Sequence, residues 1–89
     1  MKAIWKFPLG NNKNSVIKMP KDAKILCVQE QFREGFIWAK VDPEAEFENR
    51  FFKSIMTGEE FNQSVAEIYL GTYQVDAGNY VIHVFEVIK

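Results

Sequence analysis

The residues able to do chemistry are few and widely spaced. His83 is the only histidine and Cys27 the only cysteine. Brought together in space, they would make the base and nucleophile of thiol catalysis. Cys27, however, sits among Ile25, Leu26 and Val28, where a free thiol reads as a buried, inert hydrophobe. His83 lies between Val81 and Phe85 in an alternating apolar stretch. There it is either a hydrogen-bonded core histidine or a pocket residue that donates to a phosphate or a base through one ring nitrogen. Ser15, Ser54 and Ser64 stand in no nucleophile-elbow context, and the glycines form no phosphate-cradling loop. One histidine and one cysteine give no metal-ligand spacing. Glu44, Glu46 and Glu48 alternate in an acidic turn, where solvation accounts for them better than a shifted acid–base pair does.

What remains is the chemistry of binding. Trp5 and Trp38 alternate with Phe7 and Phe36 on strand-like faces. Each either packs in the core or offers a planar ligand a stacking surface, worth ~1–3 kcal/mol per base in nucleic-acid systems. Arg50 opens a strand beside Phe51 and Phe52, directly after the acidic turn. It makes either a bidentate contact with a phosphate or carboxylate, or a salt bridge to Glu46 or Glu48. Arg33, the other arginine, falls on a hairpin tip, where solvation suffices. The candidate ligand-binding set is therefore Trp38, Arg50, Lys53, His83 and Trp5, with no catalytic or metal residue and no cofactor.

The whole-chain numbers narrow the class. At 89 residues, 47% hydrophobic and 15% aromatic, the chain reads as one domain over residues 1–89 that can build a core without disulfides. Eleven Lys and Arg against twelve Asp and Glu leave a net charge of −1. That balance argues against disorder and supplies no basic excess for nucleic acid or an anionic membrane. No apolar run approaches the ~20 residues of a membrane span. The N-terminus, Met1-Lys2-Ala3-Ile4-Trp5-Lys6, meets charge again too soon for a signal peptide. A soluble, cytoplasmic domain is expected.

The elements that must position these residues are strands. Residues 2–9 alternate, with Ala3, Trp5, Phe7 and Leu9 on one face. Residues 10–14, rich in Gly and Asn, read as a hairpin loop whose return strand, 15–19, stops at Pro20. Residues 24–31 form a third strand. Its apolar run, Ile25-Leu26-Cys27-Val28, predicts cover on both faces. Residues 32–35 make a second hairpin, with Gly35 expected at positive φ, and 36–41 the fourth strand. Asp42-Pro43 with Glu44 and Glu46 is the one helical signal, a short helical turn near 43–48. Strands follow at 50–56, 66–75 and 80–88, the last two joined by Asp76-Ala77-Gly78-Asn79. The seventh is apolar on both faces and belongs at the centre of its sheet. About seven short strands predict an all-β fold, an antiparallel sandwich or small partly open barrel. Sheet edges and surplus aromatics predict a homo-oligomer, a dimer first.

Several phrases together resemble a family of small uncharacterised proteins encoded by phages and prophages. They are Lys2-Ala3-Ile4-Trp5-Lys6-Phe7-Pro8-Leu9, Ala23-Lys24-Ile25-Leu26-Cys27-Val28-Gln29-Glu30-Gln31, Trp38-Ala39-Lys40-Val41-Asp42-Pro43-Glu44-Ala45, Tyr69-Leu70-Gly71-Thr72-Tyr73-Gln74 and His83-Val84-Phe85-Glu86. The resemblance covers nearly the whole chain and carries no catalytic motif. It implies a non-enzymatic phage-type binding protein acting in the host cytoplasm. One expectation is an anti-defence factor that sequesters a nucleotide immune signal, a cyclic nucleotide or a cyclic ADP-ribose type molecule. Such a sponge needs stacking aromatics and a few cations but no nucleophile. The alternative is a protein-binding inhibitor of a host enzyme or nuclease, docking through an aromatic patch or a sheet edge. Neither expectation includes nucleic acid or a membrane as partner.

Overall fold

Period-two alternation produces seven strands in a computed structural model that describes residues 1–10, 12–64 and 66–89. They are β1 (Ala3–Gly10), β2 (Asn14–Pro20), β3 (Lys24–Gln31), β4 (Glu34–Val41), β5 (Phe47–Met56), β6 (Glu67–Val75) and β7 (Tyr80–Val87). A three-stranded sheet, β1-β4-β3, faces a four-stranded one, β2-β5-β7-β6. All pairs are antiparallel. The result is an all-β sandwich, and neither sheet closes into a barrel. Its interior is filled by alternate residues: Phe7 and Leu9 from β1, Met19 from β2, Ile37, Ala39 and Val41 from β4, Phe52 from β5 and Val84 from β7. β7 lies between β5 and β6, as its two apolar faces predict.

Four local expectations are corrected. The first loop, of which Asn11 lies outside the described residues, is not a hairpin. β1 pairs with β4 and β2 with β5, so the chain crosses from one sheet to the other. Crossing lets Leu9 and Met19 enter the same interior from opposite layers. β3 is covered on one face only: its outward Lys24 and Gln29 are exposed, and it lies at the edge of its sheet. Its apolar run comes from a bulge: the register shifts between Ile25 and Cys27. Leu26 is the extra residue and is exposed. Ile25 and Val28 then both face inward, and Cys27 is half-buried on the outer face rather than buried.

The short helical turn near 43–48 is a β-turn. The Ala45 N–H donates to the Asp42 carbonyl (3.1 Å) and the Glu44 N–H to Asp42 Oδ1 (3.0 Å). Asp-Pro starts turns by the same hydrogen bonding that caps helices. Residues from Phe47 onward are captured by the ladder with β2, in which Phe47 faces Pro20 and Glu48 faces Met19.

Gly35 is the fourth correction. The positive φ values of the β3–β4 turn belong to Phe32 (55°) and Arg33 (68°), side-chain-bearing residues where Asn-Gly is usual. Gly35 serves the packing instead. A Cβ there would lie 2.4 Å from Tyr73 Cζ. On the adjoining edge, a Cβ on Gly71 would lie 3.3 Å from Val28 Cβ. Both glycines let one layer settle closely on the other. Because Tyr73 is buried and cannot swing away, Gly35→Ala is expected to destabilise the fold by about 2 kcal/mol. For a domain this size that lowers Tm by roughly 10 °C. A calorimetric Tm within about 1 °C of wild type would contradict the close packing.

Candidate functional site

Four connections meet at one end of the sandwich and enclose a cleft of about 370 Å³. Gly10, Asn12 and Lys13 come from the first loop, Arg33 from the β3–β4 turn, Asp76 from the β6–β7 turn, and Glu59 from the segment after β5. Tyr73, Val75 and Ile82 form an apolar floor, with Tyr80, Met56 and Ser54 beside them. Charges of both signs ring the mouth. Arg33 Nη2 lies 4.0 Å from Asp76 Oδ1, and Lys13 pairs with Glu59. The Lys13 contact, helped by the Met56 N–H, holds the Glu59 carboxyl below the usual carboxylate range. Burial pushes the Tyr73 phenol up. The cleft can hold a small apolar body and hydrogen-bond its polar edges. Among the described residues, no group of three or more His, Cys, Asp and Glu is placed to hold a metal.

The five residues predicted to bind a ligand are not brought together, and none lines this cleft. Trp5 faces inward from β1, partly buried against Phe7 and Phe47 with ring centroids 6.4 Å from each. Trp38 is half-buried on the outer face of the three-stranded sheet, opposite Lys6 and Cys27 in the register. His83 lies on the outer face of the other sheet. Its Nδ1 is 3.0 Å from Thr72 Oγ1 and its Nε2 is 2.7 Å from Thr57 Oγ1, so both ring nitrogens are satisfied. Cys27 and His83 therefore stand on opposite outer surfaces, too far apart for a thiol–imidazole dyad.

Arg50 and Lys53 each serve an internal network. Arg50 forks onto Glu86 through Nε and Nη2, the latter at 3.0 Å from Oε1, and Nη1 donates to the Ala23 carbonyl (2.9 Å). Its partner is thus Glu86, with Glu48 a subsidiary neighbour at 3.8 Å rather than the principal one. The Glu86 hydrogen bond, aided by the charges of Glu86, Glu48 and Asp22 and opposed by burial, raises the guanidinium above its usual range. This fork ties the β2–β3 turn to β5 and β7 beside a second cleft of about 400 Å³, at the opposite end of the sandwich from the first. Lys53, only 8% exposed, pairs with Glu67. Its Nζ is also 3.2 Å from the Asn62 carbonyl, 3.3 Å from Ser64 Oγ and 4.9 Å above the Phe61 ring. It pins the segment between β5 and β6 onto the outer face of the four-stranded sheet.

Sequence reasoning missed all of the cleft residues, Tyr73, Tyr80, Arg33 and Asp76 among them. Arg33 and Asp76 were legible as turn residues, but only the strand order puts their turns at one end. The family described as "Domain of unknown function (DUF7352)" matches residues 1–89, and the chain belongs to it. No curated protein and no solved structure matches.

Two predictions follow from the internal pairs. Arg50→Met leaves the Glu86 carboxylate uncompensated and should destabilise by about 3 kcal/mol in denaturant titration. Arg50→Met combined with Glu86→Leu should recover most of the loss; equal losses in both variants would contradict the pairing. Glu67 is held low by Lys53 first and the Ser64 N–H second. Its folded value lies below the unfolded one of about 4.3, so its contribution is full above that pH and disappears as pH falls through the folded value. Glu67→Gln should therefore lose less stability than wild type between about pH 6 and pH 3. An identical acid limb would remove Glu67 from the account.

Proposed function

We propose that this DUF7352 domain is a non-enzymatic binding protein that holds its ligand in the loop-end cleft. The observation that carries this reading is the cleft itself: an apolar floor, a rim of both charges, and an opening built from loops on a rigid sandwich. The chemistry-bearing residues elsewhere support it, because Arg50, Lys53 and His83 are held in internal contacts.

The rim favours a polypeptide segment over a nucleotide. Lys13 and Arg33, the cations a phosphate would use, come with Glu59 and Asp76, which would repel it. A peptide with an apolar side chain and polar backbone fits a mouth of alternating sign. Together with the resemblance to phage- and prophage-encoded proteins, this makes a host enzyme or nuclease the partner to look for, as an inhibitor would have. Nucleotide sequestration is the second reading, favoured by Tyr73 and Tyr80 lying in the same cleft as two cations.

The readings separate by thermal shift and peptide display. Cyclic di- and trinucleotides, cyclic ADP-ribose isomers, ADP-ribose and NAD are expected to leave Tm unchanged. Peptides selected from a random library should lose tenfold or more affinity, about 1.4 kcal/mol, on Tyr80→Ala or Arg33→Ala, both surface substitutions. A shift of roughly 10 °C with one nucleotide at saturation would establish the second reading. Selected peptides that ignore both substitutions would remove the cleft from the function.

A further inference from the structure

We propose that the outer face of the three-stranded sheet binds single-stranded nucleic acid. The pairing register arranges this face in rows: Ile4, Lys40 and Lys24; then Lys6, Trp38 and Cys27; then Pro8, Phe36 and Gln29. Every charge in those three rows is positive, and the next row, Gln31 opposite Glu34, adds the one acid of this face. Among the described residues, Lys6, Lys24 and Lys40 form no ion pair, as is also true of Lys2, Lys18, Lys21 and Lys89, and Lys6 donates to Gln31 Oε1 (2.7 Å). Lys24 stands directly opposite Lys40, a like-charge cross-strand pair that weakens a sheet. An anionic partner would relieve it.

Aromatic rings interleave with these cations. Trp38 is central in its row and half-buried, and its ring centroid lies 6.1 Å from that of Phe36, which is itself buried and supports Trp38 rather than offering a free face. Lys6 Nζ reaches 4.7 Å from the Phe36 ring and 5.9 Å from that of Phe32. Phe32 is 78% exposed and held at φ 55° on the hairpin tip. The two-residue β3–β4 turn itself requires positive φ at Phe32 and Arg33. The other sheet's outer face is crossed by the segment that carries Phe61, whose ring is 6.3 Å from Phe85. On the three-stranded sheet, Ile4, Lys6, Pro8, Lys24, Gln29 and Lys40 are exposed.

Planar rings alternating with unpaired cations match a chain that repeats a flat base and a charged phosphate. A second copy docked symmetrically would bring three lysines to a face with one acid, Glu34. An acidic peptide supplies the charge but not the repeating planar group. Whole-chain charge argued against nucleic acid, but −1 is an average over this cationic face and acidic loops elsewhere. This inference does not depend on the loop-end cleft.

Fluorescence anisotropy with a labelled oligothymidylate of about 12 nucleotides, at about 50 mM salt, tests it. Micromolar binding is expected, with log K falling against log salt at a slope of about −2, as three phosphate contacts require. Lys24→Gln should reduce that slope by about 0.7. Phe32→Ala should weaken binding by about fivefold or more. Both residues are exposed, so neither substitution threatens the fold. No binding up to about 100 µM protein would overturn the proposal. So would an unchanged slope in Lys24→Gln, or equal affinity for a poly-glutamate peptide, which would assign the face to an acidic polypeptide.

Discussion

The close approach of the two sheets on the β3–β6 side is the constraint from which the rest of the molecule follows. It exists because glycines stand where the layers touch, Gly35 against the Tyr73 ring and Gly71 against Val28. With no Cβ in the way, the Tyr73 ring packs against β4 at Gly35 while projecting from β6 of the opposite sheet. One ring therefore closes the core and floors the loop-end cleft. The bulges in β3 and β6, at Leu26 and Leu70, fall on these facing edge strands. Each adds a residue and bends its strand, the usual means by which a sheet edge is re-aimed. Fold and cleft thus share one packing solution, and a change that separates the layers must alter both.

Charge is partitioned around that framework. The forked Arg50–Glu86 pair and the Lys53 cluster are shielded from solvent and bind distant segments together, β2–β3 turn to β7 in one case and the β5–β6 connection to β5 in the other. Buried pairs of this kind contribute modest net stability, but each is costly to break from one side. They fix the positions of segments rather than wait for a ligand. The lysines of the three-stranded sheet are the converse: exposed, unpaired among the described residues, and set among aromatic rings. Surface ion pairs are worth little, so leaving these unpaired costs the fold little and keeps an anionic partner's site open.

The strands were legible in the sequence because period-two alternation survives wherever one face meets the core. β3 was legible at both ends, and the centrality of β7 followed from its two apolar faces. The misreadings share a cause. Turn chemistry in 42–48 and the Gly-Asn loop at 10–14 specify a local bend, not which strands it joins or how far the bend continues. Gly35 reads locally as a turn residue because its real demand, the Tyr73 ring, comes from a strand 38 residues later. The candidate site was less legible for the same reason. Arg50 was recognised as a fork for a carboxylate, but Glu86 is 36 residues away and invisible to local reading. Trp38 and Trp5 look alike in sequence, each beside Phe in an alternating strand. Only the register sends Trp5 inward and Trp38 outward.

The central claim is that this nearly neutral chain sorts its charge, with paired ions holding the fold and an unpaired cationic face left for a partner. Amide NMR with small paramagnetic co-solutes of opposite charge measures that sorting directly, in the absence of any ligand. An anionic probe should broaden the amides of Lys6, Lys24, Trp38 and Lys40 most, and a cationic probe those of Glu44, Glu46 and Glu60. Equal broadening of both sets by both probes would show that the surface carries no such segregation and would contradict the account.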